Sequence, residues 1–273
     1  MEAMQKDKLI DIAKQIRKDT MRTIAGIGSG HIGGSLSIAD VLAVLYFEKM
    51  NVDPQNPQKQ DRDRLVLSKG HAGPALYATL ALKGFFDEDW LDTLNQPGTN
   101  LPSHCDMLKT PGIDMTAGSL GQGFSCAVGM AVAAKVLDID CTVYSIIGDG
   151  ESQEGQIWEA AMYASQKELD NFIGITDWNH MQISGLTDDV CSICPLPEKW
   201  EAFGFYTQSV DGHDVEAISK AIDNAKAHKG GPSMIILDTV KGKGVSVIEA
   251  AGYANHSMPV TPEDVALAKE ELK

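Results

Sequence analysis

The sequence is short of positive charge. Its 38 aspartates and glutamates face only 23 lysines and arginines, which leaves a formal net charge of −15 over 273 residues. Surfaces for nucleic acid or for anionic membranes need basic patches, so this balance excludes a general surface of either kind. It still allows a small local anion site. Long apolar runs are also missing: residues 41–47 and 126–134 are the longest, far too short to span a bilayer. Residues 1–8 are charged and lack the apolar stretch of a signal peptide. Cysteine is scarce and odd in number, at 105, 126, 141, 191 and 194, which speaks against a disulfide framework. Cys191 and Cys194 form one C-x-x-C, but no second pair or suitably spaced histidine completes a zinc site. Reduced cysteines in a cytoplasmic protein are the expectation. There is no internal repeat, low-complexity tract or interdomain linker, so residues 1–273 read as a single domain.

What is present is an alternation of helical and strand patterns. Leu9, Ile12, Ile16, Met21 and Ile24 recur at helical spacing over residues 7–25. A second helix is expected over 38–49. Residues 64–68 read as a short buried strand, 69–74 as the turn after it and 75–83 as the next helix. Residues 95–119 are dense in Pro, Gly, Asn and Thr, a long irregular connection of the kind that is more often functional than idle. Residues 121–137 read as a small-residue helix with Gly123, Ala127, Ala131 and Lys135 along one edge. Strands are expected over 141–147, 171–177 and 234–240, and helices over 153–169 and 215–227. Thr261-Pro262 supplies an N-cap and a first-turn proline for a last helix. This order implies an α/β fold with a mostly parallel sheet and helices on both faces.

The most informative stretch is Gly148-Asp149-Gly150 after a strand, then a helix, a second strand and Asn179, with 28 residues between Gly150 and Asn179. In a parallel sheet this puts Asp149 and Asn179 at the carboxyl ends of neighbouring strands, the edge where open α/β sheets bind ligands. Mg²⁺ or Ca²⁺ takes oxygen ligands, and Mg²⁺ commonly combines one or two carboxylates with phosphate oxygens. One carboxylate and one neutral amide suit a metal bridged to a diphosphate without overcharging the site. The helix that follows aims its N–H groups toward the anion.

This G-D-G…N pattern resembles the thiamine-diphosphate motif. Together with "GHIGGSLS", "SKGHAGPALYATL", "GSLGQG" and "GDGESQEGQIWEAAMYA", it resembles the N-terminal, diphosphate-binding domain of transketolase, with the motifs in family order from about residue 10 to residue 258. The resemblance implies thiamine diphosphate as cofactor, with Mg²⁺ or Ca²⁺ held by Asp149, Asn179 and the main-chain carbonyl of Met181. It implies cofactor contacts at His71, Gly118, Ser119, Leu120, Gly150, Asn179 and His256, and catalytic histidines at His31, His104 and His256. Glu154 matches a glutamate at the subunit contact. Trp178 stands where the family often has Asp or Asn, and His256 sits in "NHSMP" where "HG" is common. The cofactor supplies the reactive carbon and stabilises the charge left by C–C cleavage. The protein's part is to move protons at sugar hydroxyls, for which histidine is suited near neutral pH. His180, beside Asn179, is a candidate support residue; His213 in "DGHD" reads as a turn residue and His228 as exposed.

Nothing in the sequence resembles the family's pyrimidine-binding domain. The expectation is therefore a split enzyme, in which a separate C-terminal subunit completes an α2β2 heterotetramer acting on sugar phosphates. Helix 121–137 is a candidate for that interface. An unusual ketose, sulfonated or branched, is an alternative substrate. Deoxyxylulose-phosphate synthase and 2-oxoacid dehydrogenase are alternative thiamine-diphosphate enzymes, and a non-catalytic cofactor-binding module is the rival from another class. Gly28, Gly30 and Gly33 also match G-x-G-x-x-G, but a nicotinamide fingerprint follows a strand and this one is expected to follow a helix. The glycines are read as ending that helix and presenting His31 to substrate.

Overall fold

The computed structural model describes residue 1 and residues 3–273. Its centre is a five-stranded, wholly parallel sheet formed by β1 (Arg64–Leu67), β2 (Val143–Gly148), β3 (Phe172–Trp178), β4 (Tyr206–Asp211) and β5 (Ser233–Asp238), in spatial order β1-β2-β3-β5-β4. Successive residues of the inner strands bury on opposite faces, as the two-residue period of a strand requires. Tyr144, Ile146, Ile173, Ile175, Ile235 and Leu237 join one core. Val143, Ile147, Phe172, Met234 and Ile236 join the other.

Helices α1 (Ala3–Ala25), α2 (Ala39–Val44), α3 (Gly73–Lys83) and α7 (Val215–Ala227) cover the first face. Helices α4 (Gln122–Val136), α5 (Gly155–Gln166) and α6 (Leu196–Ala202) cover the second. Helix α8 (Pro262–Glu271) packs on α1 and starts with a reciprocal capping box between Thr261 and Asp264. Residues 38–49 are helical as expected, but α2 passes into a π-helical turn at Leu45–Lys49. The expected fold class is the observed one.

Two features lie outside the sequence reading. Edge strand β4 reads Tyr-Thr-Gln-Ser-Val-Asp and is half exposed, so no apolar run marked it as a strand. Along α4, Gly123, Ala127 and Ala131 pack into this chain's own core. The unpartnered edge is the other one, with Gly129 and Ala133 exposed beside Val136 and Leu137 at 77% and 66% exposure.

Candidate active site

The end of α1 leads into Gly28–Gly34, so no sheet strand precedes that glycine pattern. Ser29–Gly30 instead pairs antiparallel with Met258–Pro259, which brings the His31 and His256 segments side by side. A Cβ on Gly33 would lie 2.0 Å from Oδ1 of the fully buried Asn255, so the close approach of these two segments needs glycine there. The backbone N–H of Gly242 donates to the Gly33 carbonyl (3.0 Å), and Asn255 Nδ2 donates to the Lys241 carbonyl (3.1 Å).

The four histidines expected at the site, from four separate segments, meet around His31. Its ring centroid lies 5.3 Å from His71, 5.4 Å from His104 and 5.4 Å from His256, and His71 lies 5.0 Å from His256. All four are half-buried, and burial pushes every one below the usual imidazole range. His256 falls to about 4, through burial first and then the neighbouring Lys241 charge. The cluster is therefore uncharged at neutral pH, with lone pairs available to hydroxyl groups.

Beside it a cleft of about 270 Å³ opens at the carboxyl edge of β2 and β3, with Asp149, Gly150, Asn179, Met181, Lys241 and His256 in its walls. Leu120 also faces it. Gly118 lies against the His104 ring, and Gly118 and Ser119 are exposed at the rim, as is Glu154 ahead of α5. A larger depression of about 830 Å³ lies at the opposite, amino-terminal edge of the sheet, near Cys141 and Asn171. We assign the chemistry to the smaller cleft, because the convergent side chains and the carboxyl strand ends are there.

Register pairs Gly148 with Asp177, so Asp149 and Asn179 leave adjacent strands at nearly the same level. Asp149 Oδ1 accepts from the Gly150 N–H (2.7 Å), while its buried Oδ2 has no hydrogen-bond partner among the described residues. Burial and the nearby Asp177 carboxylate raise Asp149 to about 7. A buried carboxylate oxygen left without a donor fits a cation ligand. Asn179 Nδ2 donates to Asp177 Oδ2 (2.7 Å), which turns its Oδ1 the other way, where it accepts from the Met181 N–H (3.2 Å). The Met181 carbonyl accepts from Lys241 Nζ (3.0 Å). Among the described residues no group of three or more His, Cys, Asp or Glu could hold a metal. A set of one carboxylate, one amide and one carbonyl, completed by phosphate oxygens, is the kind Mg²⁺ accepts.

Four residues of the site were not anticipated: Asp177, Lys69, Glu151 and Lys241. Asp177 is fully buried and accepts from Ser37 Oγ (2.8 Å), Lys69 Nζ (2.6 Å), Thr239 Oγ1 (2.6 Å) and Asn179 Nδ2 (2.7 Å). Burial works to raise it, but Lys69 and these donors hold it below the usual carboxylate range. Lys69 also donates to the Gly34 carbonyl (2.7 Å). Glu151, likewise buried, accepts from Ser68 Oγ, the Gly121 N–H (2.8 Å) and the Gly148 N–H (3.1 Å). It thus ties the Gly118–Leu120 loop to the end of β2. Lys241 reaches both Met181 and His256, and burial pushes it down to about 8. A signal for Lys69 was available inside "SKGHAG", and for Asp177 two residues before Asn179.

His180 pairs with Asp238 at an exposed position and its ring lies 4.5 Å from Trp178. His228 is half-buried and stacked on Tyr206, not exposed as expected. Cys191 and Cys194 are free and exposed.

A strand-end acid and amide facing a diphosphate-sized cleft, ringed by histidines, define a thiamine-diphosphate-binding domain. Residues 8–273 match the family described as "Transketolase, thiamine diphosphate binding domain", and the chain belongs to that family. It is 56% identical over 270 residues to the 6-deoxy-6-sulfo-D-fructose transketolase subunit SqwG of Clostridium sp. (strain MSTE9), covering 98% of both chains. It is 40% identical to an apulose-4-phosphate transketolase subunit of Phocaeicola vulgatus, covering 95% of this chain and 92% of that one. Among solved structures, the transketolase from Leishmania mexicana superposes with a TM-score of 0.92 at 34% identity, covering 97% of this chain but 41% of that one. The chain thus spans about two-fifths of the solved transketolase it matches.

Proposed function

We propose that this chain is the diphosphate-binding subunit of a two-subunit transketolase. It would transfer a two-carbon ketol unit from a ketose phosphate to an aldose phosphate, in the cytoplasm, once a separate C-terminal, pyrimidine-binding subunit completes the site. We take residues 1–273 as one domain. One observation carries the reading: four uncharged histidines from distant segments converge beside a cleft built for an anion and a cation. In it, Asp149, the Asn179 amide oxygen and the Met181 carbonyl would hold Mg²⁺ or Ca²⁺. Gly150, His71, Leu120 and Lys241 would face thiamine diphosphate, with Gly118 and Ser119 at its edge. When bound, the cofactor supplies the reactive carbon and the electron sink. His31, His104 and His256 would take protons from, and return them to, substrate hydroxyls. Relatives of almost the same length are named as subunits, which supports a separate partner chain; an α2β2 assembly is the form we propose for it. The exposed apolar edge of α4, at Gly129, Ala133, Val136 and Leu137, is the surface we assign to the interface. The five free cysteines agree with a reducing compartment.

The test is an assay of the purified chain with thiamine diphosphate, Mg²⁺ and a ketose phosphate, with and without a pyrimidine-binding subunit. Turnover only with both chains is expected, and robust turnover of the single chain overturns the split-enzyme reading. A second reading is favoured by the 56% identical relative, whose name specifies 6-deoxy-6-sulfo-D-fructose. On that reading the donor is a ketose bearing a terminal sulfonate. Parallel kcat/KM measurements on the phosphorylated and sulfonated ketoses decide between them.

A further inference from the structure

The sequence Asp211-Gly212-His213-Asp214 stands outside the cleft, and its histidine was expected to be a turn residue. Every residue of it has a specific contact instead. Asp211 Oδ1 accepts from the His213 N–H (2.8 Å). Asp214 caps α7 by accepting from the Glu216 and Ala217 N–H groups. Gly212 lies so close to the loop after β5 that a Cβ would come within 2.3 Å of Thr239 Cγ2. No other residue type fits there without moving that loop.

His213 uses both ring nitrogens. Nε2 accepts from the Val240 N–H (2.9 Å), so it carries a lone pair, and Nδ1 faces Asp40 Oδ2 at 2.8 Å. The proton is therefore on Nδ1 and is donated to Asp40. Asp40 is buried and is itself gripped by both Nη atoms of Arg17 from α1. This chain of contacts fixes the ring and aims its lone pair at one backbone amide.

That amide lies between Thr239, which is hydrogen-bonded to Asp177 behind the cleft, and Lys241 in the cleft wall. Thr239 donates to Asp177, which orients the Asn179 amide, and Lys241 reaches Met181 and His256. The Val240 side chain between them is 43% exposed, so apolar packing does little to hold the loop there. We infer that His213 is a positioning residue: as the Nδ1–H tautomer set by Asp40 and Arg17, it holds the Val240 amide and so places Lys241 in the cleft. This rests on the reading of that cleft as a cofactor site.

The test uses the full chain and compares His213→Asn, which keeps a donor to Asp40 but cannot reach Val240, with His213→Gln, whose longer side chain can. In His213→Asn the Val240 and Lys241 amides should exchange with solvent faster, and thiamine diphosphate with Mg²⁺ should bind about five- to tenfold more weakly. In His213→Gln both should return to within about twofold of wild type. Equal behaviour of the two variants overturns the inference, since a merely structural role does not distinguish them. Lys241→Met separates the levels. If it weakens binding and His213→Asn does not, the positioning role falls and the cofactor site stands. If neither variant weakens binding, the cofactor reading of Lys241 falls and takes the positioning role with it. Should the variants fail to fold, ¹⁵N spectra of the wild-type imidazole remain decisive: a protonated Nδ1 and a bare Nε2 support the inference, and the opposite tautomer overturns it.

Discussion

The two halves of the cleft are built on opposite plans. On the Asp177 side, almost every buried polar atom is spoken for: Asp177 alone accepts from four donors, and Glu151 from three. On the histidine side the rings lie near one another, but no ring nitrogen of His31 or His71 hydrogen-bonds to another described residue, and His104 and His256 each make one such contact. The saturated half has fixed geometry, which suits holding a metal and a diphosphate whose position must not change. The unsaturated half keeps donors and acceptors for hydroxyl groups that come and go. Asp149 belongs by position to the first half and by its partnerless Oδ2 to the second. It is the point at which the rigid frame is left open for a ligand.

If the saturated half is a rigid frame, breaking it should cost the fold more than it costs any single contact. Lys69→Met leaves the fully buried Asp177 without its ion-pair partner. Removing one member of a buried pair destabilises by about 3–5 kcal/mol. Urea unfolding of the ligand-free chain measures this. Restoring apolar character on both sides with Asp177→Leu should recover only part of the loss, because Ser37, Thr239 and Asn179 then lose their acceptor. A Lys69→Met chain as stable as wild type would mean that the frame does not depend on this pair.

Asp149 should behave in the opposite way. Asp149→Ala is expected to weaken metal-dependent thiamine diphosphate binding by about 3 kcal/mol, roughly a hundredfold in Kd, as read by titration calorimetry with Mg²⁺. Its burial beside Asp177 disfavours the charged form, so Asp149→Asn should raise the melting temperature of the ligand-free chain at pH 8. Binding lost and stability gained at one residue is the signature of a site held open for a ligand. Unchanged cofactor affinity would contradict the assignment.

On the histidine side a substitution should touch chemistry alone. His31→Ala is expected to lower turnover of the two-subunit enzyme about a hundredfold while cofactor affinity stays within about twofold. Loss of cofactor binding ahead of turnover would move His31 into the diphosphate frame.

The same contrast explains what could be read from the sequence. The inner strands were legible because each is mostly apolar and bounded by turns, and Asp149 and Asn179 because the βαβ spacing fixes both at one sheet edge. Strand β4 was not, because an edge strand half open to solvent needs no apolar pattern. The convergence of His31, His71, His104 and His256 follows from loop packing, such as Gly33 against Asn255, which no spacing along the chain reveals. It was reached through resemblance alone. Lys69, Asp177, Lys241 and His213 were missed as site residues for a related reason. A single buried charge gains its role from partners far away in sequence, 108 residues apart for Lys69 and Asp177 and 173 for His213 and Asp40.

The smallest expected effect separates the two halves by their protons. His256 is depressed from 6.5 to about 4 by burial and by Lys241. The folded chain therefore binds fewer protons there than the unfolded chain between those values, and stability must fall as pH falls through that window. Asp149 is raised from 3.8 to about 7, so the folded chain binds more protons there, and its contribution to stability rises as pH falls below 7. The windows overlap with opposite signs, so at these two groups the pH dependences oppose each other. Asp149→Asn removes the rising component, so relative to wild type this variant should lose about 2–4 °C between pH 7 and pH 4, about 1 kcal/mol for a half-buried ring. Adding His256→Asn to Asp149→Asn should make the profile shallower, the remaining fall coming from His31, His71 and His104, which are depressed in the same direction. If the single and double variants melt in parallel across this range, His256 is not held uncharged by the fold, and the division of the cleft into a charged frame and a neutral histidine cluster fails at that residue.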